Sequence, residues 1–352
     1  MSIKITGIGS FIPNLKRKNS DFLNQEFRNT DGSSFPHANE ITIEKFQAIT
    51  GIAERRYLEE NLSTSDMATV AAQRAIEDAG IDPETLDYLI VAHNYGDVKS
   101  GSVQSDTVPS IATRVKHNLK IKNPKCVGYD VLFGCPGWIE AVIQAQAFIK
   151  CGMAKKCLVI GAEALSRVVD KYDRDSMIFS DGAGATVLEI TDEEGGILAH
   201  DSATYAYQEA NHIYFGKSNL PGEVEDTRFI KMNGRKIYEF ALTEVPGAMK
   251  ICLENSGKTI NDVKKIFIHQ ANEKMDDAII KRFYKLHKMP VPENVMPMSI
   301  QELGNSSVAT VPTLLDLVIR GKIKDQELKK GDVIIMASVG AGMNVNAIVY
   351  QY

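Results

Sequence analysis

The 352 residues are 44% hydrophobic and 24% charged, the balance of an ordinary globular chain long enough for two domains or two fused halves. A formal charge of -5 argues against nucleic acid as a partner, and no apolar run reaches the roughly 18 to 20 residues needed to span a bilayer, so no membrane role is expected. The five cysteines, Cys126, Cys135, Cys151, Cys157 and Cys252, form no C-x-x-C pair, which disfavours a disulfide framework or a zinc site and makes a reducing cytoplasm the expected compartment.

Residues 1–9 lack the regions of a signal peptide and read as a first strand. The stretch 13–63 is polar and irregular, predicted as loop with one or two short helices. Thr64-Ser65-Asp66 reads as the N-cap of a helix that Gly80 stops, and Leu89-Ile90-Val91-Ala92 as a buried strand. The Gly/Ser/Asp-rich loop between Asn94 and Pro109 is long for a compact domain and suits a lid or an interface. A short helix over 110–119 and a strand over 126–132 follow. The strand runs into Phe133-Gly134-Cys135-Pro136-Gly137-Trp138 and then into an Ala-rich helical pattern ending at Cys151-Gly152. With Pro136 at the first helical position, Cys135 would feel the positive end of the helix dipole, lowering its pKa and favouring thiolate. A buried structural cysteine is the equally weighted alternative. Cys157 to Ile160 and Ala183 to Ile190 are further strands.

The second half repeats the first. Ala75 to Gly80 followed by Leu89-Ile90-Val91 matches Cys252 to Gly257 followed by Ile266-Phe267-Ile268, at an offset of 177 residues. The Cys135 helix corresponds to a helix from about Ser306 to Arg320 ending at Gly321, and Leu158-Val159-Ile160 to Val333-Ile334-Ile335. Two stacked α/β halves would bring both helix N-termini to a shared centre, with Asn305 opposite Cys135. His269 falls at the C-terminal edge of a strand, where open α/β sheets collect ligands. The other histidines, His37, His93, His117, His200, His212 and His287, are read as structural or surface residues. Gly340-Ala341-Gly342 could bring backbone N–H groups to a reacting oxygen, or simply make a tight turn. Ser180-Asp181-Gly182-Ala183-Gly184-Ala185 lacks the G-x-G-x-x-G pattern, which rejects dinucleotide binding.

The cysteine segment, His269-Gln270-Ala271-Asn272 and Gly304-Asn305-Ser306-Ser307, with Gly51-Ile52-Ala53-Glu54-Arg55-Arg56, Asp181-Gly182-Ala183-Gly184-Ala185 and Met232-Asn233-Gly234, together resemble the β-ketoacyl-ACP synthase III family over nearly the whole chain. The resemblance implies an α/β, thiolase-like fold: two pseudo-repeated βαβα halves stacked as a five-layered αβαβα sandwich. Residues 1–190 would carry Cys135, and 191–352 would carry His269 and Asn305. It further implies a decarboxylating Claisen condensation. Cys135 takes an acyl group from a thioester, His269 and Asn305 stabilise the enolate formed from malonyl-ACP, and the backbone N–H groups of Cys135 and Ala341 form the oxyanion hole. Arg174 and Asn272 match substrate or CoA-phosphate contacts, and Lys274, Lys281 and Arg282 match a docking face for acyl carrier protein, against the plain reading of a solvated helix face. No metal or other cofactor is implied, and a homodimer is.

The chain also departs from the family pattern. Lys45 and Ile49 stand where relatives that take acetyl-CoA carry part of an adenine clamp, Thr30 to Asn39 and Tyr95 to Asp106 look like additions, and the surroundings of Cys135 are bulky. A donor other than acetyl-CoA, in polyketide or aryl-lipid assembly, is the expected variation, as is an acyltransferase of the same fold. Two rivals remain: a papain-like protease, for which Cys135 lies too deep in α/β sequence, and a non-catalytic scaffold, which the presence of all three reactive residues disfavours.

Overall fold

Buried strands of apolar residues set the architecture, and the computed structural model describes residues 1–222 and 226–352. In chain order the elements are β1 (Ser2–Phe11), β2 (Leu15–Lys18), α1 (Asn39–Thr50), β3 (Glu54–Tyr57), α2 (Thr64–Ala79), β4 (Tyr88–Ala92), α3 (Ile111–Asn118), β5 (Val127–Val131), α4 (Gly137–Lys150), β6 (Lys156–Ala164), β7 (Asp181–Thr191), β8 (Gly196–Thr204), β9 (Ile213–Gly216), β10 (Phe229–Met232), α5 (Gly234–Asn255), β11 (Val263–Ile268), α6 (Glu273–Leu286), α7 (Ile300–Leu303), α8 (Thr310–Ile319), β12 (Val333–Gly340) and β13 (Asn344–Gln351).

The first sheet has the order β5-β4-β6-β7-β1, with β4 parallel to β5 and β6, and β7 antiparallel to both its neighbours. The second, β11-β12-β13-β8, repeats the arrangement of β4-β6-β7-β1: one parallel pair, then two antiparallel ones. In place of a partner like β5, β11 has, among the described residues, one backbone hydrogen bond, from Ile266 N–H to the Val295 carbonyl at 2.8 Å, with Lys265 Nζ donating to the neighbouring Asn294 carbonyl at 2.6 Å.

Helices α2 and α3 cover the outer face of the first sheet, α5 and α6 cover the second, and α4 and α8 lie between, touching both. Three apolar cores follow from this layering. The outer ones are built on Ala68, Ala72 and Leu158 and on Val245, Ile266 and Phe283; the central one joins Trp138 and Val142 of α4 to Leu314 of α8, Val159 and Met336. Strands covered on both faces carry long apolar runs, Leu89 to Ala92 in β4, Cys157 to Ile160 in β6 and Val333 to Ala337 in β12, although β6 also carries a buried carboxylate, Glu163, near its end.

Three local expectations need correction. The cap of α2 is Ser63, whose hydroxyl accepts from Asp66 N–H while the Asp66 carboxylate accepts from Ser63 N–H, a reciprocal box that leaves Thr64 inside the helix. The stretch 13–63 does hold a helix, α1, but one of 12 residues, and it adds a β2–β3 ribbon that was not expected. Thr42, Ile43, Phe46 and Thr50 of α1 are buried, a one-sided spacing masked by its polar neighbours. Pro136 precedes α4, whose first residue is Gly137.

Candidate active site

Cys135 is presented by the turn between β5 and α4. Gly134 bends this turn with φ +71°, in the left-handed region that suits glycine, and a Cβ there would lie 2.7 Å from the Ala341 nitrogen. At the end of β12, a Cβ on Gly340 would come within 2.5 Å of the Cys135 nitrogen. Both glycines therefore let the two loops press together, and Asn344 fastens them. Its Nδ2 donates to the Phe133 carbonyl at 3.1 Å and to the Ala341 carbonyl at 2.8 Å, while its Oδ1 accepts from Thr204 Oγ1 at 2.6 Å.

His269 follows β11, and its N–H donates to the Ala337 carbonyl at 2.9 Å, continuing the pairing with β12. Asn305 is held by its backbone: its N–H donates to the Ile178 carbonyl at 3.0 Å, and its carbonyl accepts from Ser180 N–H at 2.8 Å. Asn305 Oδ1 accepts from Ser307 N–H at 2.8 Å, which commits the oxygen and leaves the NH2 end for other partners. Cys135, His269 and Asn305 all line one cavity of about 80 Å³, with Ser307, Ala341 and Asn94. Its apolar walls include Leu165, Phe179, Ile230, Met232, Met275 and Met343.

Burial dominates the electrostatics. The Cys135 thiol is pushed up to about 11 by desolvation, with the Glu163 carboxylate adding to the rise and a hydrogen bond from Ser307 Oγ, 3.4 Å from the sulfur, opposing it. The helix dipole was expected to lower this thiol. It does not prevail, because a partial charge at one helix end counts for less than the loss of water around a sulfur anion. Burial likewise lowers His269 to about 4, leaving a neutral imidazole at ordinary pH. His269 Nδ1 is buried without a hydrogen-bond partner among the described residues. An unpaired lone pair is tolerated more readily than an unpaired N–H, so the neutral ring is best written with its proton on Nε2.

Two family models match this chain: 3-oxoacyl-[acyl-carrier-protein (ACP)] synthase III over residues 129–206 and its C-terminal domain over 253–352. Beta-ketoacyl-[acyl-carrier-protein] synthase III of Neisseria meningitidis is 33% identical over 99% of both chains. The chain belongs to the β-ketoacyl-ACP synthase III family. This synthase III family member is accordingly an acyltransferase-type condensing enzyme of thiolase fold. Among solved structures, the 3-oxoacyl-[acyl-carrier-protein] synthase III of Aquifex aeolicus superposes with a TM-score of 0.80 at 30% identity, covering 100% of both chains. A priming β-ketosynthase from the R1128 polyketide biosynthetic pathway gives 0.82 at 25% identity, covering 99% of this chain and 96% of its own.

A second, open groove of about 500 Å³ adjoins the cavity of this synthase, with Met232 lining both. Arg174, Asn272, Lys45 and Ile49 line the groove, as do Phe35 and His37 of the 30–39 segment. Arg174 pairs with Asp175 at 3.0 Å and lies over the Phe35 ring at 5.4 Å. Asn272 caps α6, its Oδ1 accepting from Met275 N–H at 3.1 Å. Lys274, Lys281 and Arg282 are exposed on α6, and Arg282 Nη1 also donates to the Leu242 carbonyl of α5 at 2.9 Å. The loop after Asn94 folds back on itself through hydrogen bonds between Asp97 and Asp106, and Arg114 pairs with both carboxylates.

Sequence reading missed Asn94, Glu163, Ser307 and Asn344 as members of the site. Ser307 stood inside a motif already singled out. The other three carried no spacing signal, because each reaches the site from a different strand or loop.

Proposed function

We propose that this enzyme condenses a Cys135-bound acyl group with malonyl-ACP, with loss of carbon dioxide, to give a 3-oxoacyl-ACP. The observation that carries the reading is the convergence of a thiol, an imidazole and a carboxamide on one small apolar cavity. Residues 1–190 present the nucleophile, and residues 191–352 present His269 and Asn305. The Cys135 sulfur attacks the donor thioester carbonyl and expels the carrier thiol. Malonyl-ACP then binds with its thioester oxygen toward His269 Nε2–H and the Asn305 NH2 group. Neutral donors suit an oxygen that becomes negative only as carbon dioxide departs, so they favour the transition state over the bound ester. The resulting enolate carbon attacks the acyl-cysteine, whose oxyanion is taken by the N–H groups of Cys135 and Ala341. Collapse of that intermediate returns the cysteine thiolate. Every step moves electrons between carbonyl, carboxylate and thiol groups, so the scheme calls for no metal or redox cofactor.

The groove of Arg174 and Asn272 would hold the donor's carrier arm, and Lys274, Lys281 and Arg282 would meet the acidic carrier protein. The Phe35 ring over Arg174, with Lys45 and Ile49 nearby, favours a second reading in which the donor is a non-acetyl group, as in polyketide or aryl-lipid assembly. In this reading the enzyme works in the cytoplasm as a homodimer paired through β5, the strand at the edge of the first sheet, beside which Leu132 is 67% exposed.

The test is to incubate the protein with a panel of acyl-CoA and acyl-ACP donors, follow intact mass, then add malonyl-ACP and collect carbon dioxide. An acyl increment on the Cys135 peptide, absent in Cys135→Ala, is expected, followed by carbon dioxide release. A protein that gains no acyl mass from any donor overturns the proposal.

A further inference from the structure

The hydrogen bonds around Cys135 continue beyond the three side chains assigned to the chemistry. Ser307 Oγ lies 3.4 Å from Cys135 Sγ. Asn94 Nδ2 lies 3.2 Å from Ser307 Oγ and 2.7 Å from Glu163 Oε2, and the Asn94 backbone N–H donates to that same carboxylate oxygen at 2.6 Å. Four segments distant in sequence thus meet in one chain of bonds: the β5–α4 turn, the turn after α7, the loop after β4, and β6.

Donor chemistry fixes the direction of this chain. An amide NH2 can only donate, so Asn94 uses its two hydrogens on Glu163 and on a lone pair of Ser307 Oγ. The Ser307 hydroxyl hydrogen is then directed to another acceptor, and the sulfur lies within reach. The backbone reinforces the placement. Ser307 is held at φ +53°, a conformation rare for a residue with a side chain, while its N–H is spent on Asn305 Oδ1. Glu163 is fully buried, and burial raises its carboxyl to about 7; the groups that bear on it are His93, which favours its charged form, and the Asn94 and Tyr95 backbone N–H groups. Among the described residues Glu163 Oε1 has no partner, so the bonding of this carboxylate is directed at the loop that carries Asn94.

We propose that Glu163 is a positioning residue which, through Asn94, keeps the Ser307 hydroxyl hydrogen on the Cys135 sulfur and so stabilises the thiolate that attacks the donor. The inference rests on Cys135 being the nucleophile. It assigns Glu163 an orienting role rather than an electrostatic one, since a carboxylate this close to the sulfur opposes the thiolate. An uncharged acceptor of the same shape therefore does the same work.

The experiment follows iodoacetamide alkylation at the Cys135 peptide by mass between pH 6.5 and 10, with acyl-CoA transfer measured in parallel. Ser307→Ala, Asn94→Ala and Glu163→Leu are expected to slow Cys135 alkylation about tenfold at pH 8, a displacement of about one pH unit. Glu163→Gln, which keeps the acceptor oxygen, stays within about twofold of the parent, and alkylation of the exposed Cys151 is unchanged in all four. Ser307→Ala removes one hydroxyl and is the deciding variant should Glu163→Leu not fold. A parent-like profile in Ser307→Ala, or a Glu163→Gln protein as slow as Glu163→Leu, overturns the proposal. If the profiles shift but no donor ever acylates Cys135, the synthase reading fails and the positioning role stands.

Discussion

The inner cavity and the outer groove differ in almost every physical respect. The cavity is small and mostly apolar, and its polar side chains are held in place by neighbours, as Asn305 Oδ1 is by Ser307 N–H. The groove is about six times larger and open, and its Lys45, Arg174 and Arg235 can reach solvent. A charge in the groove is screened and replaceable; a dipole in the cavity acts undiluted and must be placed correctly. On the proposed mechanism the contrast separates chemistry from recognition, and it orders the consequences of mutation.

The largest effects belong inside. His269→Ala and Asn305→Ala are each expected to lower carbon dioxide release from malonyl-ACP by about 10² to 10³-fold while acyl-Cys135 still forms, read by trapped carbon dioxide beside intact mass. Equal loss of both steps would show that these side chains serve the thiol instead. Next comes Gly340→Ala, whose Cβ would meet the Cys135 nitrogen at 2.5 Å and must displace the turn. Acylation should fall about 100-fold, with a destabilisation of about 1–3 kcal/mol in urea unfolding.

Burial of His269 gives a pH dependence with a definite sign. Its folded-state value of about 4 lies below the ordinary 6.5, so its contribution to stability is complete above about pH 6.5 and is lost as pH falls toward 4. Glu163, raised to about 7, acts oppositely: its contribution is complete below about pH 4.5 and fades as pH rises through 7. The difference between the parent and His269→Gln isolates the histidine. Between pH 6.5 and 4 the parent should lose a few kcal/mol more than the variant, measured by urea unfolding. The smallest effect lies on the outer surface. Lys281→Glu with Arg282→Glu should raise KM for the carrier-borne substrate a few-fold and leave small thioesters unaffected, a gap that narrows in salt.

Much of the fold was legible in the sequence because buried parallel strands cannot disguise themselves. Leu89-Ile90-Val91-Ala92 and Ile266-Phe267-Ile268 have a single plausible fate, and their spacing exposed the repeat. The cavity residues Cys135, His269 and Asn305 stood out because each sits just beyond a strand or just ahead of a helix. Three things were hidden for physical reasons. The protonation state of Cys135 depends on how much water the finished fold removes, whereas sequence displays only the helix beginning beside it. The β9–β10 ribbon is short, and Ile213 and Phe229 sit partly buried beside exposed Tyr214 and Phe215, so no regular alternation marks it. The linkage of Glu163 to Ser307 spans 144 residues by subtraction of their numbers, and only folding brings such groups together.

Asn344 acts as a caliper. One carboxamide ties the turn that carries Cys135 to the loop after β12, so a shift of either loop is passed to the other, and on the proposed mechanism the spacing between the N–H groups of residues 135 and 341 is thereby preserved. An enzyme built from two halves can then tolerate drift in their docking without detuning the place where they meet.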